Sequence, residues 1–229
     1  MSFAFALAQR VSLSFTIAVI SLSLISCSPQ AEEPVGNATA TSAFVAGQDY
    51  DVIAGEPSKQ AKIIEHFSLY CGHCYRSEGL FTSLKKQLPA AVAFERSHVL
   101  YFPQNNKAFA RNMTFAFAAA QELGIEDKFV AKVFDYHFVD KTFLGEVSDL
   151  KNIFVVLGHT GDSFDTTLRS DATLERVKGM AAQATTDQVR FTPDLIVNDK
   201  YRVKLDKLQQ AQDADQRLAQ LVNHLLTNP

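Results

Sequence analysis

The tetrapeptide Cys71-Gly72-His73-Cys74 constrains this chain more than any other stretch. It follows an apolar run, Ile63-Ile64-Glu65-His66-Phe67-Ser68-Leu69-Tyr70, that reads as a strand. A helix-forming stretch follows it, from Tyr75 to about Leu88. Two cysteines spaced Cys-x-x-Cys at a strand-to-helix junction are the layout of a thiol–disulfide redox site. The first cysteine sits at a helix N-terminus, where unpaired N–H groups and the helix dipole favour the reactive thiolate. The second lies one turn further on, close enough to close a small disulfide and release a mixed-disulfide partner. His73 between them adds a polar, potentially cationic group that also favours the thiolate.

Two blander readings compete. Cys-x-x-Cys can be half of a zinc site, but such a site needs about four N or S ligands, commonly from a second pair. Cys27 is the only other cysteine. His66 and His73 remain as ligands without a second pair, so no metal is expected. A purely structural disulfide closes too short a loop to gain much entropic stabilisation.

Residues 1–26 read as a targeting segment, with Arg10 as its positive charge and Val11 to Leu24 as its apolar core. The core is short for a transmembrane span. It ends in Leu24-Ile25-Ser26-Cys27, which resembles a bacterial lipobox whose cysteine is lipidated and becomes the first mature residue. Ordinary signal cleavage nearby is the alternative. A lipidated Cys27 is a thioether and takes no part in redox chemistry. Ser28 beside it permits sorting to the outer membrane. Residues 27–43 then form a tether rich in Ser, Pro, Glu, Gly, Asn, Thr and Ala without apolar periodicity, reaching roughly 20–25 Å as a coil.

Residues 44–229 form the globular part. Tyr50 to Ile53 reads as a first strand, about Lys62 to Phe67 as the central one, and Ala91 to Val99 as a third, by its alternation. From about residue 104 to 170 the pattern is helical: Phe109 to Ala120 closed by Gly124, Glu126 to Val139, Ser148 to Leu157 with Ser148 as N-cap, and Asp162 to Leu168. An all-helical block inside an α/β pattern is the mark of an inserted subdomain. The α/β pattern then resumes with a helix from Ala172 to about Asp187, a hairpin of Asp194 to Val197 and Tyr201 to Val203, and a final amphipathic helix from Asp213. The 47% hydrophobic content supplies an ample core, and a net charge of −3 without a basic stripe gives no sign of nucleic-acid binding.

This order, with Cys-x-x-Cys opening the first helix, resembles the DsbA family of bacterial thiol–disulfide oxidoreductases, a thioredoxin fold carrying an inserted α-helical subdomain. The matching stretches are Glu65 to Tyr75, Leu88-Pro89 leading to His98-Val99, Leu123 to Lys128, and Thr192 to Asn198.

The resemblance implies that Cys71 is the exposed nucleophile, Cys74 the buried resolving cysteine and His73 the stabiliser of the Cys71 thiolate. It implies that Glu65 is the buried acid beneath the cysteines, a proton shuttle for Cys74 or a tuner of its charge; the alternative is a strand-end carboxylate reaching water. It implies that Thr192-Pro193 is a cis-proline loop facing the cysteines. His66 is expected to pack or hydrogen-bond on the sheet's other face, and His98, His137, His159 and His224 to be structural. The family usually has Pro-His between its cysteines, so Gly72, as in protein disulfide isomerase sites, alters backbone stiffness and puts the redox poise in question.

The expected activity is a periplasmic, lipid-anchored, monomeric oxidase without a cofactor. It passes the Cys71–Cys74 disulfide to reduced, unfolded exported proteins, and a DsbB-like membrane quinone reductase reoxidises it. The alternatives are a reductase or isomerase of the same fold, and a non-catalytic peptide-binding or chaperone module using the groove beside Pro193.

Overall fold

Strand β2 (Lys62–Phe67) is buried along nearly its whole length, which is why its sequence runs apolar with few interruptions. The computed structural model describes residues 44–53, 55–209 and 211–227. The expected signal segment, Cys27 and the expected tether lie outside the described residues. Strand β2 pairs in parallel with β3 (Ala93–His98), Glu65 beside Arg96, and antiparallel with β4 (Asp194–Val197), His66 beside Asp194. Strand β4 turns back into β5 (Tyr201–Val203), and β1 (Tyr50–Val52) closes the sheet in the order β1-β5-β4-β2-β3. In the three-residue β4–β5 connection Asn198 and Asp199 both take positive φ, as the central residues of a type I′ turn do, and Lys200 N–H donates to the Val197 carbonyl at 3.1 Å.

Alternation along β2 sends Ile63 and Glu65 to one face and Ile64 and His66 to the other. On the first face Ile63, Leu195 and Val197 pack against α1 (Gly72–Gln87) and α8 (Ala214–Thr227) through Leu80, Phe81, Leu84 and Leu221. On the second lies α6 (Asp171–Thr186), whose C-terminal Asp187 reaches His66.

The helical subdomain comprises α2 (Lys107–Glu122), α3 (Glu126–Phe134), α4 (Val147–Val156) and α5 (Gly161–Leu168). Its core of Met113, Phe117, Phe129, Phe134, Phe154 and Phe164 joins that of Phe67 and Leu69, the strand end leading to the cysteines. Gly124 stops α2 at φ +68°, a left-handed position that favours glycine.

Three local expectations are corrected. The helix expected over Glu126 to Val139 changes at Phe134 into a π-turn, Asp135–Val139, because His137 is drawn aside to hydrogen-bond the chain before the cysteines. The N-cap of α4 is Glu146 rather than Ser148; the Asp149 carboxylate accepts the Glu146 N–H at 3.2 Å. A short helix, α7 (Leu205–Leu208), follows β5 where none was expected, buried through Leu205 and Leu208. Among the described residues no helix is long and apolar enough to cross a membrane.

Candidate active site

Cys71 is the N-cap of α1, in extended conformation, and both cysteines are free thiols. The chain enters through a tight turn in which Cys71 N–H donates to the Ser68 carbonyl at 3.0 Å. The Cys74 N–H donates to Cys71 Sγ at 3.4 Å, and the Cys71 thiol donates to the Thr192 carbonyl at 3.3 Å. The Thr192–Pro193 peptide is cis.

The two sulfurs are pushed in opposite directions. The Cys74 thiol beside it, outweighing burial, pulls Cys71 down to about 5, helped by the Thr192 side chain and the N–H groups of Cys74 and His73. Cys74 is pushed up, chiefly by burial and then by the Cys71 sulfur, with the Glu65 charge adding a smaller push. Cys71 is therefore ready as nucleophile or leaving group near neutral pH, while Cys74 holds its proton. Cys71 is less open than expected, at 6% exposure against 0% for Cys74, because it sits under the Thr192 carbonyl.

His73 is exposed; its backbone N–H is what reaches Cys71. It lines a groove of about 760 Å³ together with Arg190, Phe191, Thr192 and Pro193. At Gly72 an added Cβ would meet only Arg76 and Phe138, both at 3.5 Å, so a side chain fits. Gly72 is the first residue of the helix, where proline is best tolerated. Gly72→Pro should raise stability by about 0.4–1 kcal/mol, raising Tm by about 1–4 °C in calorimetry. A fall in Tm would mean that the Gly72 backbone does not suit proline.

Glu65 is wholly buried and does not reach water. Its Oε2 accepts from Arg96 Nε at 3.0 Å, and Arg96 Nη2 donates to Glu78 at 2.8 Å. Its Oε1 has no partner. Burial pushes the carboxyl up to about 7 against the pull of Arg96. Burial opposes the charge on Arg96, but Glu65 and Glu78 outweigh it and push its pKa upward.

Sequence reasoning missed what His98 and His137 hold at Leu69, because those partners are main-chain groups. Leu69 N–H donates to His98 Nε2 at 3.1 Å, and the Leu69 carbonyl meets His137 Nδ1 at 2.7 Å. His137 Nε2 accepts from Leu144 N–H at 3.0 Å, so its Nδ1 carries the proton that reaches Leu69. Both peptide groups of Leu69, two residues before Cys71, are thus held by buried imidazoles. Burial pushes His98 down to about 3, and burial also lowers His137 despite its two backbone bonds, so both stay neutral at pH 7. Tyr70 stacks on His137 at 4.9 Å and donates to the Leu144 carbonyl at 2.8 Å, tying the subdomain to the active-site turn. His137→Phe keeps a ring but strands the Leu69 carbonyl and the Leu144 N–H. A loss of about 1–3 kcal/mol for each is expected from urea unfolding. An unchanged midpoint would show that neither bond matters.

Known proteins share this fold. Residues 62–222 match the model of the DSBA-like thioredoxin domain. The thiol:disulfide interchange protein DsbA of Pectobacterium carotovorum is 32% identical over 169 residues, covering 72% of this chain and 79% of the relative. That of Yersinia pestis is 30% identical over 190 residues, covering 80% and 89%. The crystal structure of DsbA from Klebsiella pneumoniae superposes with a TM-score of 0.73 at 25% identity, covering 81% of this chain and 98% of that one. A structure of Proteus mirabilis DsbA with a non-covalently bound peptide gives a TM-score of 0.71 at 25% identity, covering 81% and 99%. A depressed thiol capping a helix, a buried thiol one turn on and a cis-proline against them stand within a matching domain of matching length: the chain belongs to the DsbA family of thioredoxin-fold thiol:disulfide oxidoreductases.

Proposed function

We propose that this protein is a periplasmic disulfide oxidase, anchored to the membrane by lipid on Cys27, with Gly72-His73 between its catalytic cysteines. The observation that carries the direction of transfer is the pair of opposed thiols. A stabilised Cys71 thiolate makes the dithiol form the lower-energy product, so the disulfide is readily given away.

In the exchange, a client thiolate attacks Cys71 Sγ. The Cys71–Cys74 bond breaks, and Cys74 leaves with its electron pair and takes a proton. The second client thiolate attacks the client sulfur of the mixed disulfide and expels Cys71 as a thiolate. The client has lost two electrons and this chain has gained them. Glu65, raised to about 7, holds or releases a proton near neutral pH and is the shuttle for Cys74. Thr192 and cis-Pro193 offer extended backbone to the client, and Phe191, 56% exposed at the groove, offers it an apolar contact. The Proteus mirabilis relative has been solved with a non-covalently bound peptide, which supports peptide docking by this chain. The clients are reduced exported proteins, and a DsbB-like quinone-linked membrane reductase takes the electrons. The sequence of residues 1–43 supports the anchor and tether, and Ser28 outer-membrane sorting.

The test is the redox state of Cys71 and Cys74 in growing cells, trapped by acid and resolved by thiol alkylation. A disulfide in most molecules supports the oxidase. A dithiol in most molecules sinks it, and the same centre then works as a reductase or isomerase.

A further inference from the structure

The face of the sheet opposite Glu65 carries a second set of buried charges that the thiol chemistry does not use. His66 Nε2 lies 2.6 Å from Asp187 Oδ2, with side chains 0% and 1% exposed. Gln183 Nε2 donates to both Asp187 oxygens, at 3.1 and 3.0 Å. Arg202 Nε donates to both oxygens of Asp194 at 3.0 Å, and its Nη2 donates to the Asp187 carbonyl. Asp194 is wholly buried and sits beside His66 in the β2–β4 register.

These groups come from four elements: β2, the end of α6, β4 and β5. They meet at both ends of one six-residue segment, residues 188–193, which carries Thr192 and Pro193 against Cys71. Asp187 precedes the segment and Asp194 follows it. Arg202 touches both. Between its ends the segment has little apolar anchorage, since Gln188, Arg190 and Phe191 are exposed and Val189 is only half-buried, while Pro193 at its end is buried. Its place over the sulfur is therefore set by what fastens its ends.

We propose that His66, Asp187, Asp194 and Arg202 are positioning residues for disulfide exchange, a polar clamp that holds the Thr192–Pro193 segment against Cys71 for client docking. The proposal rests on the reading of Cys71 as the exchanging thiol. Stability alone is a poor reason for the cluster. Burying ionisable groups costs free energy even when they are paired, and apolar residues of similar volume often serve as well or better. What paired charges supply is direction: a guanidinium gripping a carboxylate at one loop end and a carbonyl at the other fixes the span between them.

The test separates clients from small thiols. A client peptide needs the backbone of Thr192 in place to dock, whereas dithiothreitol docks on no backbone and meets the segment only through the smaller share of Thr192, behind Cys74, in holding the Cys71 thiolate. Asp194→Leu with Arg202→Met removes both charges together and leaves neither stranded. Its kcat/KM with a cysteine peptide should fall about tenfold or more while its rate with dithiothreitol stays within about twofold, given that a ~1 Å misplacement can cost ~10²-fold. Should that double variant not fold, His66→Leu against His66→Gln makes the same comparison. Glutamine keeps a donor toward Asp187 and should retain the peptide rate, and leucine should lose it. A peptide-to-dithiothreitol ratio equal to the wild type's in folded variants overturns the clamp alone. A wild-type chain inert toward both overturns the reading of Cys71, and the clamp with it.

Discussion

Replacing Cys71 with serine abolishes disulfide exchange, and replacing Cys74 with serine removes the disulfide to be donated but leaves Cys71 able to attack a client disulfide, expelling one client thiolate. A hydroxyl in place of the Cys71 sulfur neither accepts a disulfide nor leaves as a stabilised anion. Turnover should fall by about 10³-fold or more. In Cys74→Ser, the serine hydroxyl keeps a donor beside Cys71, as do the N–H groups of residues 73 and 74, but Cys71 has no neighbouring thiol to expel a bound client. Client adducts should then accumulate on non-reducing gels and disappear with dithiothreitol. Adducts on Cys71→Ser instead, or exchange within about tenfold of wild type, would assign the attack to the wrong sulfur.

The same ionisation sets two pH dependences. Alkylation of the reduced chain should level off above about pH 5 and slow about tenfold per pH unit below it. An inflection near 8.5, the value of a free cysteine, would mean that the thiolate is not stabilised. Stability follows with a definite sign. An unfolded cysteine holds its proton up to about pH 8.5, and the folded one releases it near 5. The dithiol form therefore has its full gain above 8.5 and loses it as pH falls through about 5. The disulfide form has no such term, so the dithiol form should weaken relative to it over that interval.

The sequence announces local features and conceals most long-range partners. Strand β4 is legible because four apolar-rich residues run from a Thr-Pro step into an Asn-Asp turn, and both signals are local. The strand-to-helix step at Cys71 is equally local. The π-turn at His137 is hidden, because its cause lies at Leu69, 68 positions away along the chain. The charges of the second face are hidden for a related reason. His66 meets Asp187 across 121 positions, and no periodicity links them. One signal was available: inward-facing positions of β3 and β4 hold Arg96 and Asp194, and a buried charge requires a partner. Which partner each takes follows from strand register, which a single chain does not display.

Loss of Arg96 should cost the fold heavily. Arg96→Met removes the only hydrogen-bond donor to Glu65 among the described residues and strands a buried carboxyl. Breaking a buried pair on one side costs about 3–5 kcal/mol, and Glu65→Leu added to Arg96→Met should recover most of it, since the neutral pair leaves no charge behind. If the double variant is as weak as the single, the loss is one of packing rather than charge. The loss should also depend on pH. Burial raises Glu65 from 4.5 to about 7, so its contribution is whole below 4.5 and is lost as pH rises through 7. In the disulfide form, Glu65 should lower stability from pH 4.5 to 7, and Glu65→Gln should remove that share of the slope. In the dithiol form Cys71 works in the opposite direction over pH 5 to 7, so the two slopes partly cancel there and Glu65→Gln should leave a steeper rise. Glu65→Gln should also slow formation of the mixed disulfide, the step in which Cys74 leaves and takes a proton, by about 10²-fold, the lower end for a lost acid–base group, without changing the alkylation rate of Cys71. An equal drop in both rates would make Glu65 a tuner of the whole centre rather than the proton carrier for Cys74.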